Sequence, residues 1–76
     1  MDIKTAIGER IKQLRNEKGI SQEEFAHRAN IDRTYVARLE SGKRNVTILA
    51  LHKVIRALET DYRKFFDHST FGNGKE

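Results

Sequence analysis

Cysteine and proline are both absent from this chain of 76 residues. Without cysteine, neither a disulfide nor a thiolate metal site can staple a small fold, so its stability must come from helix packing or from dimerisation; a reducing compartment is compatible with this usage. Without proline, and with few β-branched runs, nothing interrupts helical segments. Long apolar runs are missing too. No stretch approaches the ~18 residues of a membrane span, and the start, MDIKTAIGER, lacks the apolar core of a signal peptide. The expectation is a cytoplasmic protein with no membrane contact. Internal repeats and low-complexity tracts are also absent.

Charge is abundant. Charged residues make up 34% of the chain, with 15 Lys and Arg against 11 Asp and Glu, a formal net charge of +4. That excess favours anionic partners, although only the placement of the charges distinguishes nucleic-acid binding from ordinary solubility. The 37% hydrophobic content suffices for one small core, hence one domain. Charged residues at helical spacing make that domain all-α.

Ile3, Ile7, Ile11 and Leu14 recur every three or four residues, with Lys4, Glu9, Arg10, Lys12 and Gln13 assigned to the other faces. This pattern predicts an amphipathic first helix, capped by Asp2 or Thr5 and ending near Lys18, with Gly19 at the left-handed position beyond it. Ser21 and Glu24 then form the pattern of a capping box, flanked by Ile20 and Phe25 at staple positions. The short helix they begin ends at Asn30, a residue tolerant of the left-handed region. The device repeats with Ile31, Asp32 and Val36, starting a third helix from Arg33 to about Ser41. Gly42 closes it, and Lys43, Arg44 and Asn45 make a basic loop. Thr47 caps a fourth helix with Ile48, Leu51, Val54, Ile55 and Leu58 facing inward, and Asp61 starts a short fifth helix bearing Tyr62, Phe65 and Phe66. The predicted organisation is a domain over residues 1–66 and a flexible tail over 67–76.

Two short helices joined by a tight turn, packed on a longer first helix, describe a helix-turn-helix. The brevity of the second helix lets the third project into a DNA major groove. That geometry explains why Arg33, Thr34, Tyr35, Ala37 and Arg38 occupy its outer face, where a solvated helix would carry glutamates and lysines. These four polar positions, Arg33, Thr34, Tyr35 and Arg38, are the candidate base readers. An arginine fork can donate two bonds to guanine, and threonine offers a hydroxyl and a methyl to thymine; Tyr35 can bond a phosphate or pack on a sugar or thymine methyl.

From about Ile7 to Phe66 the sequence resembles the phage repressor and Cro class of helix-turn-helix proteins, carried by SQEEFA followed by IDRTYVARLESGKRN. Within that class it is similar to the small controller proteins of restriction-modification systems, which share DRTY and GKRN. The resemblance implies a five-helix repressor-like domain. It places Gln22 where a side chain touches phosphate and braces the reading helix, and Arg33, Thr34 and Arg38 at base-reading positions. Lys43, Arg44 and Asn45 match the loop that grips the DNA backbone, and Arg15 and Glu40 match an internal ion pair. Ile55 departs from the family's usual small residue, which implies an altered packing of the fourth helix.

Other readings of the reactive side chains are weaker. His27, His52 and His68 lack the spacing of a metal site, Ser21 is explained by capping, and the glutamates are not paired in a pocket. Neither an enzyme, nor a cofactor or metal, nor a small-molecule ligand is expected. Tyr62, Phe65, Phe66 and Phe71 are many aromatics for the end of a short chain. Phe65 suits the core, whereas Tyr62 and Phe66 are assigned to the interface of a homodimer. The function that follows is a homodimeric, sequence-specific transcriptional regulator on double-stranded DNA with a near-palindromic operator. The alternative is an antitoxin or a protein-bridging module using the same fold.

Overall fold

The computed structural model describes residues 1–72, which form five α-helices: α1 (Ile3–Glu17), α2 (Gln22–Ala29), α3 (Arg33–Glu40), α4 (Ile48–Ala57) and α5 (Tyr62–Phe66). Each begins at a side-chain cap. Asp2, Ser21, Asp32, Thr47 and Asp61 accept from backbone N–H groups two or three residues ahead, satisfying donors that the first turn leaves unpaired. Asp2 also accepts from the Thr5 hydroxyl, and this bond holds its carboxyl below the ordinary aspartate range. Asn30 closes α2 in the left-handed conformation at φ 56°. At α2 the capping box is half formed. The Ser21 hydroxyl accepts from Glu24 N–H, but the Glu24 carboxylate turns instead to Arg28 at 2.9 Å, because an i,i+4 cation lies within reach on the same face.

Ile7, Ile11, Phe25, Val36, Leu39, Val54, Ile55, Leu58 and Phe65 bury one core to which all five helices contribute. Ile55, the departure from the family pattern, is fully inside it. Within this core α1 packs directly against α3. Gly8 makes the approach possible: a Cβ there would lie 2.2 Å from the Leu39 carbonyl oxygen. Gly42, at φ +75°, turns the chain back over Thr5 at the end of α3. Neither α1 nor the end of α3 can move away without opening the core.

Four expectations need correction. Arg10, assigned to an outer face, is buried; its Nε donates to the Phe65 carbonyl and a terminal nitrogen to the Lys64 carbonyl, each at 2.7 Å. It thereby satisfies the free carbonyl end of α5. Ile48, expected to face inward, is 87% exposed, since as the first residue of α4 it sits ahead of the turn that meets the core. Ile3 is half exposed for the same reason at the start of α1. The expected tail does not begin at Asp67. A 3-10 turn over Ser69–Phe71 is capped by His68, and Phe71 packs on Phe65 and Phe66 with ring centroids 6.1 and 4.9 Å apart. The remainder of that expected tail, residues 73–76, lies outside the described residues. Among the described residues no helix is long and apolar enough to cross a membrane.

The close approach at Gly8 predicts that Gly8→Ala forces α3 away from α1 and costs about 2 kcal/mol or more. Urea unfolding checks this; a variant as stable as the parent contradicts the tight helix contact.

Candidate nucleic-acid interface

The DNA-contacting positions selected in the sequence lie on α3, at the start of α2 and in the loop after α3. Within α3, Val36, Leu39 and Glu40 are buried while Arg33, Thr34 and Arg38 are exposed. The 3.6-residue period therefore leaves Arg33, Thr34, Ala37 and Arg38 on the outward stripe. None of the three ion pairs among the described residues uses Arg33, Arg38, Lys43 or Arg44. Among the described residues these cations have no acidic partner, which is the electrostatic condition for meeting an external polyanion.

The orientation of that stripe is set from behind. Arg15 on α1 grips Glu40 through two parallel bonds, Nε to Oε2 at 2.6 Å and a terminal nitrogen to Oε1 at 2.9 Å. Both side chains are nearly removed from solvent. A third guanidinium nitrogen donates to the Ile20 carbonyl at 2.8 Å, holding the turn before α2. Gln22, at the first position of α2, donates to Glu40 Oε1 at 3.0 Å. One carboxylate thus joins three helices. Its hydrogen bonds also raise the Arg15 pKa above its ordinary value, so the guanidinium stays charged. Between the start of α2 and Arg33 lies an open cleft of about 460 Å³, lined by Arg15, Ser21, Gln22, Glu23 and Arg33.

Tyr35 occupies a different environment from the other candidate readers. It is half-buried and packs on the edge of the core. Its hydroxyl donates to the Asn45 carbonyl at 3.3 Å and accepts from Thr47 N–H at 3.4 Å, and the Arg44 guanidinium lies 5.0 Å from its ring centre. Tyr35 is therefore the link between α3, the basic loop and the cap of α4. Lys43, Arg44 and Asn45 are exposed beside it. Of the two residues assigned to a dimer interface, Tyr62 is 45% exposed and hydrogen-bonded to His52 Nδ1 at 2.7 Å. Phe66 is 37% exposed and stacked edge-on against Phe65, with centroids 5.0 Å apart.

Sequence reasoning missed the bracing by Tyr35 and the His52–Tyr62 pair, neither of which leaves a periodic signal. It also missed Arg10, for which a signal existed. Arg10 lies three residues after Ile7 and four before Leu14, on the apolar stripe.

A helix-turn-helix family model matches residues 11–65. The control protein C.MunI from a Mycoplasma species is 42% identical over 86% of this chain and 89% of its own length. The restriction-modification controller protein C.AhdI from Aeromonas hydrophila superimposes with a TM-score of 0.82 at 36% identity, covering 87% of this chain and all of that one. A tetramer of the controller protein C.Esp1396I, solved in complex with its natural 35-base-pair operator, superimposes at 0.80 with 38% identity, 84% of each chain being covered. Further structures of C.Esp1396I carry single substitutions at a consecutive arginine, threonine and tyrosine, the same order of residue types as Arg33, Thr34 and Tyr35.

The buried fork between Arg15 and Glu40 makes its two halves non-additive. Glu40→Leu, which strands a buried cation, is expected to cost about 3 kcal/mol or more, whereas combining it with Arg15→Met recovers most of that loss. Chemical denaturation of the two single variants and the double variant measures the coupling; additive losses contradict it.

Proposed function

The chain belongs to the helix-turn-helix family of transcriptional regulators, in the branch of the restriction-modification controller proteins, and we propose that it regulates such genes by binding a near-palindromic operator as a homodimer. The observation that carries this reading is the outward stripe of α3: guanidiniums with no acidic partner among the described residues, on a helix whose angle is fixed by a buried ion pair.

In this reading α3 enters the major groove. Arg33 and Arg38 each present a fork of donors that matches guanine O6 and N7, and Thr34 meets a thymine or an adjacent base edge. Gln22, Lys43, Arg44 and Asn45 hold phosphates on either side, which positions the protein without specifying sequence. Tyr35 joins the reading group through its ring, because its hydroxyl already serves the loop. One α3 contacts too few bases to be selective. Two copies related by a twofold axis double the readout and require half-sites about 34 Å apart.

Response then comes from concentration. Occupancy rises steeply with expression as monomers pair and paired sites fill. The role is that of a cytoplasmic regulator with no catalytic step.

Base and phosphate contacts separate in binding measurements on a duplex selected by the parent chain from a random pool. Arg33→Ala and Arg38→Ala are expected to lose about 1–3 kcal/mol on that duplex and almost nothing on random DNA. Lys43→Ala and Arg44→Ala are expected to weaken both equally and to reduce the log–log salt slope by about one unit per lost phosphate contact. Selected-duplex affinity unchanged in both α3 variants contradicts the assignment of α3 as the reader.

A further inference from the structure

The loop after α3 closes over the first turn of α1. Gly42, at φ +75°, turns the chain back over Thr5, and this brings Arg44, Asn45 and Val46 alongside Ile3 and Lys4. The two segments leave a cavity of about 250 Å³ between them, with Ile7 and Leu39 as its floor. Both floor residues are buried, Val46 is partly buried against the same core, and Ile3 remains 50% exposed. The rim has the opposite character. Lys4, Arg44 and Asn45 are exposed, no carboxylate lines the cavity, and no ion pair among the described residues uses either cation. An apolar recess with a few convergent polar groups at its mouth is the general form of a small-ligand site.

We propose that this cavity binds a free medium-chain aliphatic carboxylate, which competes with DNA for Arg44. Charge and shape together select that ligand. An inorganic anion would match Lys4 and Arg44 but leave Ile3, Ile7, Leu39 and Val46 uncovered, whereas a neutral apolar molecule would cover them and leave both cations unmatched. A second copy of the chain would set like charges against each other across the rim. The volume lies just below the ~300 Å³ at the small end of drug-sized pockets, which suits a chain of about six to eight carbons. No such ligand was expected from the sequence, because the cavity is enclosed by two segments that lie far apart in it.

Arg44 gives the site its consequence, and this half of the inference rests on the DNA reading proposed above. Its guanidinium lines the cavity and also lies 5.0 Å from the ring centre of Tyr35, the residue that links α3 to the basic loop. A carboxylate seated in the cavity neutralises the same guanidinium that is assigned to a phosphate. Ligand and DNA then weaken each other by one common factor.

Titration of the whole labelled chain with sodium octanoate, followed by methyl and amide shifts, tests the cavity without DNA. Saturable shifts are expected at Ile3, Ile7, Leu39 and Val46, with a dissociation constant on the order of 0.1–1 mM for a ligand of about ten non-hydrogen atoms. Butyrate, which keeps the charge but little of the tail, and octanol, which keeps the tail but no charge, are each expected to bind about tenfold more weakly or worse. Ile3→Ser and Lys4→Gln, both outside the proposed DNA contacts, are expected to weaken octanoate on the order of fivefold while leaving duplex affinity in its absence unchanged. On the selected duplex, saturating octanoate is expected to raise the dissociation constant on the order of tenfold for the parent and to have no effect on Arg44→Ala. Absence of shifts at those methyls up to about 10 mM octanoate, equal binding of butyrate, or variants that bind octanoate as the parent does overturn the site. Octanoate held in the cavity with duplex affinity unchanged overturns the competition. A parent that selects no duplex overturns the DNA reading and the competition with it, and the octanoate titration alone then decides the cavity.

Discussion

The Glu40 carboxylate is the point on which the orientation of the reading helix depends. It accepts two bonds from Arg15 and one from Gln22, and so ties α1, the start of α2 and the end of α3 to one another. A buried pair of this kind adds little net stability over well-packed apolar side chains, but it tolerates far fewer arrangements. Hydrophobic contact around Val36 and Leu39 would allow α3 to rotate or slide. The planar fork of Arg15 against a planar carboxylate admits essentially one orientation. Gly8 completes the constraint, since the backbones of α1 and α3 approach too closely there for either helix to shift.

With α3 fixed from behind, its front is free of internal obligations. The charges divide accordingly. Where a cation has a structural task, it has a partner: Arg15 with Glu40, Lys18 with Glu59, Arg28 with Glu24, and Arg10 with the carbonyls of α5. Among the described residues Arg33, Arg38 and Lys43 have no acid opposite them. The modest net charge says little about DNA, and Lys4, Lys12, Lys53, Arg56, Arg63 and Lys64 stand outside the ion pairs as well; what sets Arg33 and Arg38 apart is their place on the outward stripe of α3. Tyr35 then carries the geometry of α3 onward, through its hydroxyl, to the basic loop and the first turn of α4.

Much of this was legible in the sequence because helix starts are local. Ser21, Asp32, Thr47 and Asp61 each cap a helix through an atom only a few residues from its partner, so a short window contains the entire interaction. The core followed from periodicity, and the Arg15–Glu40 pair from resemblance. The misreadings concern interactions between segments distant in sequence. Arg10 reaches across 55 residues to Phe65, and a charged residue on an apolar stripe is easily taken for solvent-facing when its acceptors are carbonyls on another helix. Gly8 is unremarkable until Leu39 is placed against it. Phe71 binds the segment after α5 to the aromatic cluster, although a polar composition around it suggests a loose end. Ile48 failed differently. It continues the apolar period of α4, but as the first residue of that helix it sits ahead of the turn that meets the core, and periodicity does not show where along a helix the contact begins.

The central claim is that the face bearing Arg33, Thr34 and Arg38 meets DNA while the Arg15–Glu40 fork holds it rigid. An amide chemical-shift titration of the labelled chain with a selected duplex tests it most directly, since the Arg15 Nε–H signal reports on the fork in the same spectra. The account predicts that the largest shifts fall at Gln22, over residues 33–38 and at Lys43–Asn45, with the Arg15 Nε–H signal retained throughout. Shifts concentrated on the solvent side of α1, around Lys12 and Asn16, with α3 unperturbed, would contradict it.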